Sequence, residues 1–141
     1  MIIKQLSVFL EDRSGRLTDL TQILAEHEIN ITALSLAETA DYGIVRMVVG
    51  KPGAAEEFLR EAGFSVRLTD VVCVNMPDRP GALHEVLKIL ADNAINVDYM
   101  YAFSNKEVAL AVIRAADIGQ VVDVLEKNEM ELLRQSDIYQ V

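Results

Sequence analysis

The chain has a single cysteine, few prolines and glycines, no run of basic residues and no long apolar run. Each of these scarcities excludes a class of protein. With Cys73 alone, neither an intramolecular disulfide nor a C-x-x-C metal or redox motif can form. No apolar stretch approaches the roughly 18 residues needed to span a bilayer. The N-terminal stretch from Met1 to Gly15 lacks a basic lead region and a small-residue cleavage site, so it reads as a strand and not as a signal peptide. Thirteen Lys and Arg stand against 22 Asp and Glu, for a formal net charge of −9. An acidic surface repels phosphate backbones. The expectation is a soluble, cytoplasmic protein with neither a nucleic-acid nor a membrane partner.

What is present is the profile of a compact fold, with 51% hydrophobic and 25% charged residues. It is also a repeat. A shift of 66 positions lays Asp12-Arg13-Ser14-Gly15-Arg16-Leu17 over Asp78-Arg79-Pro80-Gly81-Ala82-Leu83. The same shift carries Ile23-Leu24-Ala25 onto Ile89-Leu90-Ala91 and Ile29-Asn30-Ile31 onto Ile95-Asn96-Val97. Nine of the nineteen positions from Asp12 to Asn30 are identical, and the register holds without a gap as far as Leu59 over Leu125. Two unrelated amphipathic helices would share apolar classes, not Asp, Arg, Gly and Asn at fixed offsets. The chain is therefore read as two copies of one unit, 1–69 and 70–141.

Each copy opens with a strand, marked by the alternation of Leu6, Val8 and Leu10 or of Val72, Val74 and Met76. A turn follows, then a helix with Leu17, Leu20, Ile23 and Leu24, or Leu83, Val86, Ile89 and Leu90, at helical spacing, ending near His27 or Asn93. Second strands are expected over 29–36 and 95–103, hairpin loops over 38–41 and 104–107, and third strands over 44–49 and 108–113. Second helices start after Lys51-Pro52, where proline suits a first turn, and after Asp117, an N-cap residue. Segments 64–68 and 132–139 close the units. The predicted fold is α+β: two ferredoxin-like βαββαβ units with antiparallel sheets and helices on one face. With no linker between them, and with each marginal alone, the units are expected to pack side by side.

The run Asp78-Arg79-Pro80-Gly81-Ala82-Leu83, followed by Leu90-Ala91 and Ile95-Asn96-Val97, resembles the ACT domain, and the resemblance covers essentially the whole chain in two copies. Ser14 departs from the family's usual proline. The resemblance implies a freestanding regulatory protein that binds an amino acid where two domains meet. There the loop after the first strand of one domain faces the start of the second strand of its neighbour. The implied site residues are Asp12, Arg13, Ser14, Gly15, Arg16, Leu17, Asn30 and Ile31 in the first copy, with Met76, Asp78, Arg79, Pro80, Gly81, Ala82, Leu83, Asn96 and Val97 in the second.

The residues themselves support that placement. A free amino acid presents a carboxylate and an ammonium on one carbon. N–H groups in the first turn of a helix lack intrahelical partners and lie at the positive end of its dipole, so they suit the carboxylate. Asn30 and Asn96 offer an acceptor and two donors each, and Asp12 or Asp78 suits the ammonium. A ligand this small gains roughly −5 to −8 kcal/mol at most. Simpler roles compete: Asp12 and Asp78 as helix caps, Gly15 and Gly81 as turn formers, Asn30 and Asn96 as helix terminators. Specificity side chains are expected around Leu10, Ser35, Met76, Met100 and Tyr101.

Other functions fit less well. Two histidines and one cysteine suggest no catalytic dyad, so no enzyme, cofactor or metal site is expected. An acylphosphatase-type enzyme would need a richer phosphate-cradling loop around Arg13 or Arg79. An RNA-recognition module would need aromatics on its central strands. The main rival is an interaction subunit that docks on a metabolic enzyme without a ligand. Uncovered sheet edges make a homodimer the expected oligomer.

Overall fold

The computed structural model describes residues 1–11, 13–39, 41–105 and 108–139. The first copy forms β1 (Ile3–Glu11), α1 (Arg16–Glu26), β2 (Ile31–Glu38), β3 (Tyr42–Val49) and α2 (Pro52–Glu61). It is followed by β4 (Ser65–Pro77), α3 (Ala82–Asp92), β5 (Tyr99–Asn105), β6 (Val108–Arg114), α4 (Ile118–Lys127), β7 (Glu131–Leu132) and the short α5 (Gln135–Ile138). Each module is a ferredoxin-like βαββαβ unit. In the first, the strand order is β2-β3-β1-β4, and in the second β5-β6-β4 with β7 on the far side of β4. Among the described residues, one compact unit comprises 4–69 with 136–139, and the other 1–3 with 70–135.

Alternating strands and periodic helices meet in two cores built on one plan. In the first module Leu6, Val8 and Leu10 face the same side of the sheet as Val45, Met47 and Val49, and Leu20, Leu24, Ala55 and Leu59 pack on them. The second core uses Val72, Val74 and Met76 with Ala111, Ile113 and Ala115, packed by Val86, Leu90, Val121 and Leu125. Every one of these pairs is related by the 66-residue shift. Register follows the same rule: Leu6 pairs with Met47 and Val8 with Val45, as Val72 pairs with Ile113 and Val74 with Ala111. Slipping a strand by one residue would turn its whole apolar set outward.

The expected boundaries shift in three places. Strand β4 is one uninterrupted run of 13 residues, so the segments expected to end one copy and begin the next are a single strand. The second module's second strand begins at Tyr99, not at Ile95. Asp98, a poor strand former, makes the first bond, its N–H to the Arg114 carbonyl at 2.9 Å, and Ile95, Asn96 and Val97 precede the strand. The segment expected as a closing strand over 132–139 pairs only at Glu131 and Leu132. Arg134-Gln135-Ser136-Asp137 offers no apolar alternation to hold a ladder, and the chain turns into α5. Its side chains bond elsewhere: the Tyr139 hydroxyl accepts the Lys4 N–H at 2.7 Å, and Gln135 donates to the Ile2 carbonyl at 3.0 Å. Asp117 caps α4 as expected, accepting the Gln120 N–H at 3.1 Å.

Candidate functional site

The same turn follows the first strand of each module. The Arg13 N–H donates to the Glu11 carbonyl at 2.8 Å, and the Arg79 N–H to the Pro77 carbonyl at 3.0 Å. Gly15 and Gly81 then stand at the N-cap with φ of 90° and 89°. This is the left-handed region, which costs any residue with a Cβ. A Cβ added at either position would meet nothing within 4 Å, so backbone conformation calls for glycine here and crowding does not. The cap being glycine, the cap residue offers no side-chain acceptor to the first turn of α1 or α3; in α3 the Ala82 N–H donates to the Arg79 carbonyl at 3.2 Å. Asp78 is thus exposed in the loop and does not cap the helix as one reading had it. Asp12 lies outside the described residues.

Beside each turn is an open cavity, and the two are repeat mates. The first, of about 280 Å³, is lined by Leu10, Glu11, Arg13, Gly15, Arg16 and Leu17, with Leu36, Ala37, Glu38, Thr39, Tyr42 and Gly43 across from them. In the second module a cavity of about 260 Å³ is lined by Met76, Pro77, Asp78, Arg79, Ala82 and Leu83, with Ala102, Phe103, Ser104 and Ala109 opposite. The antiparallel order explains the pairing of walls. Leu10 and Glu11 at the end of β1 pair with Gly43 and Tyr42 at the start of β3, which brings the β2–β3 hairpin to the loop. Thr39 closes that hairpin by donating its hydroxyl to the Tyr42 carbonyl at 2.7 Å.

The linings differ in charge and polarity. Arg13 is exposed, its Nε 3.6 Å from the Glu11 carboxylate. Arg79 turns back onto its own helix and donates to Glu85 at 3.1 Å. Arg16 has no cationic counterpart, because its repeat mate is the buried Ala82. Only 14% of the Arg16 side chain is exposed, with Nη1 3.6 Å from the Asp19 carboxylate and Cζ over the Phe64 ring, 4.1 Å from its centroid. The Nε of Arg16 is buried and has no hydrogen-bond partner among the described residues. A second cavity, of about 310 Å³ and lined by Phe9, Asp41, Gly63, Phe64 and Ser65 among others, shares Leu10, Glu11, Arg16 and Tyr42 with the first.

Of the sequence-derived candidates, the structure gathers Arg13, Gly15, Arg16 and Leu17 at one cavity, and Met76, Asp78, Arg79, Ala82 and Leu83 at the other. Ser14, Pro80 and Gly81 are exposed in the turns. Asn96 lines a different cavity, of about 270 Å³, with Asp98, Ala115, Asp117 and Gln120. Within the second module, therefore, the Asp78–Leu83 loop and the Asn96 segment belong to separate cavities. Val97 beside Asn96 is half-buried. Asn30 is exposed, its carbonyl accepts the Gly50 N–H at 2.9 Å, and Ile31 begins β2. Neither asparagine terminates its helix: the left-handed residues there are Glu28 and Ala94, with φ of 55° and 56°. Leu10 and Met76 line the cavities, whereas Ser35, Met100 and Tyr101 fall outside both linings. Sequence reasoning did not name Glu11, Glu38, Thr39 or Tyr42. The signal was available, since the βαββαβ order places that hairpin at the end of the first strand.

Among the described residues, no cluster of His, Cys, Asp or Glu suits a metal ion, and no helix is long and apolar enough to cross a membrane.

Comparison with known proteins places this geometry among others. The sequence profile of the ACT domain pair matches residues 1–141. The crystal structure of protein BT0572 from Bacteroides thetaiotaomicron is 44% identical, with a TM-score of 0.95, over 100% of this chain and 98% of that one. The regulatory subunits of aspartate kinase from Thermus thermophilus, in its ligand-free form, and from Thermus flavus share the fold. They are 18% and 15% identical with TM-scores of 0.66 and 0.63, over 88% of this chain and 91% and 90% of theirs. No curated protein matches the sequence.

Proposed function

The chain belongs to the family of ACT domain pairs, and from that premise we propose that it is a non-catalytic sensor of a free amino acid. One observation carries the reading. Each module sets a cavity of 260–280 Å³ beside a helix N-terminus capped by glycine, which among the described residues contributes no side-chain cap. Cavities for drug-sized ligands run from roughly 300 to 1,000 Å³, so these suit something smaller. The first-turn donors and helix dipole take a carboxylate, and the loop and hairpin carboxylates, Glu11 and Glu38 or Asp78, attract an ammonium. The aspartate kinase relatives are regulatory subunits, which supports a regulatory role with a metabolic enzyme as the responding partner.

A screen of the twenty amino acids by thermal shift at millimolar concentration, followed by calorimetry, tests this. A ligand at a hundredfold excess over its dissociation constant stabilises the folded state by about 2.7 kcal/mol. One selective ligand is the expected outcome. No shift with any amino acid would defeat the proposal in favour of a ligand-independent interaction subunit. A specific feature favours docking in either case: Leu34 and Leu36, on the edge strand β2, are 41% and 52% exposed. Such an edge invites cover by a second copy. Light scattering is expected to report a dimer.

A further inference from the structure

Arg16 and Ala82 occupy the same place in the repeat and give the two cavities different chemistry. A guanidinium over an aromatic ring is engaged through its face, which leaves its N–H groups for acceptors. Arg16 is held in that way on Phe64. Of its five N–H donors, those on Nη1 have the Asp19 carboxylate only at 3.6 Å, and the buried Nε has no acceptor among the described residues. An oxygen brought into the cavity that Arg16 lines can meet its remaining Nη donors.

The rest of the lining says what kind of molecule would bring it. Arg13 and Arg16 are balanced by Glu11 and Glu38 on the walls of the same cavity. A plain anion there meets two carboxylates, while a zwitterion presents its carboxylate to Arg16 and its ammonium to Glu11 and Glu38. In the second module the corresponding wall is Ala82, the neighbours Met76, Leu83, Phe103 and Ala109 are apolar, and Arg79 is turned to Glu85. We propose that the first module's cavity is the amino-acid site of this chain, with Arg16 as its carboxylate-binding residue, and that the second module's cavity does not share that affinity. This rests on the sensor reading above and assigns it to one module.

The test is calorimetry on the full chain with the twenty free amino acids. The tightest binder is then compared with its C-terminal amide, on wild type, Arg16→Ala and Arg16→Lys. The expected result is one ligand per chain. Loss of at least about tenfold in affinity should follow either from Arg16→Ala or from amidating the ligand, with no further loss when the two are combined. Arg16→Lys should recover part of the loss. Circular dichroism establishes that each variant is folded. Should Arg16→Ala fail to fold, the acid–amide comparison on wild type together with Arg16→Lys decides. Two equivalent sites per chain, or binding that persists unchanged in Arg16→Ala or with the amide, would overturn this assignment and leave the sensor reading standing. Absence of binding by any amino acid would overturn both.

Discussion

Replacing Gly81 by alanine separates two explanations for a glycine at the head of α3. Gly81 lies at φ 89°, ψ −14°, and a Cβ built on it has no neighbour within 4 Å. Clashes with surrounding atoms contribute nothing, so the whole cost is the intrinsic penalty of the left-handed backbone, about 1–2 kcal/mol. For a chain of this size each kcal/mol lowers Tm by about 2–4 °C, so Gly81→Ala should melt about 2–8 °C below wild type. Asparagine tolerates this region better, and Gly81→Asn should fall by less. Thermal melts followed by circular dichroism, without ligand, measure both. Gly15→Ala, at φ 90° with equally open surroundings, should behave alike. If Gly81→Ala melts with wild type while Gly81→Asn is destabilised, the conformational argument fails, and glycine must stand there for what approaches it.

Three further outcomes follow from the structure. Ala94, at φ 56° after α3, bears the same penalty in the opposite sense, so Ala94→Gly should raise stability by about 0.5–1 kcal/mol in urea denaturation; a loss would refute it. Leu90 is 1% exposed in the second core, and Leu90→Ala should cost about 2–5 kcal/mol, as should its repeat mate Leu24→Ala; a cost under 1 kcal/mol would show that the core collapses around the gap. Burial pushes the Cys73 thiol from 9.0 up to about 12. Between these values the unfolded chain has released the proton and the folded chain retains it, so stability is full below about 9 and falls as pH rises, by up to about 1.4 kcal/mol per pH unit. Urea denaturation from pH 8 to 10.5 should show a shallower decline for Cys73→Val than for wild type, and parallel slopes would contradict the assignment.

Much of this protein is set locally, and that part was readable from its residues. The 66-residue shift predicts which side chains build each core, because burial follows alternation in strands and 3.6-residue periodicity in helices. Leu6, Val8 and Leu24 and their mates Val72, Val74 and Leu90 are all buried accordingly. The turn, its glycine and the cap at Asp117 were legible for the same reason: each depends on a few adjacent residues. Strand ends were less so, since where β5 begins and β7 stops is decided by which partner offers the next hydrogen bond. The candidate site was half legible. Its loop could be named, but the opposite wall, Leu36 to Thr39 with Tyr42 and Gly43, comes from a hairpin delivered by antiparallel pairing.

The difference between the two cavities depended most on tertiary structure. In sequence, Arg16 and Ala82 are one mismatch among several in a repeat. Folding sets Arg16 over Phe64, 48 residues away in the chain, and buries its Nε without an acceptor. Composition and periodicity report how often a side chain meets solvent; they do not report which distant group it meets, and that meeting determines what a buried charge can bind.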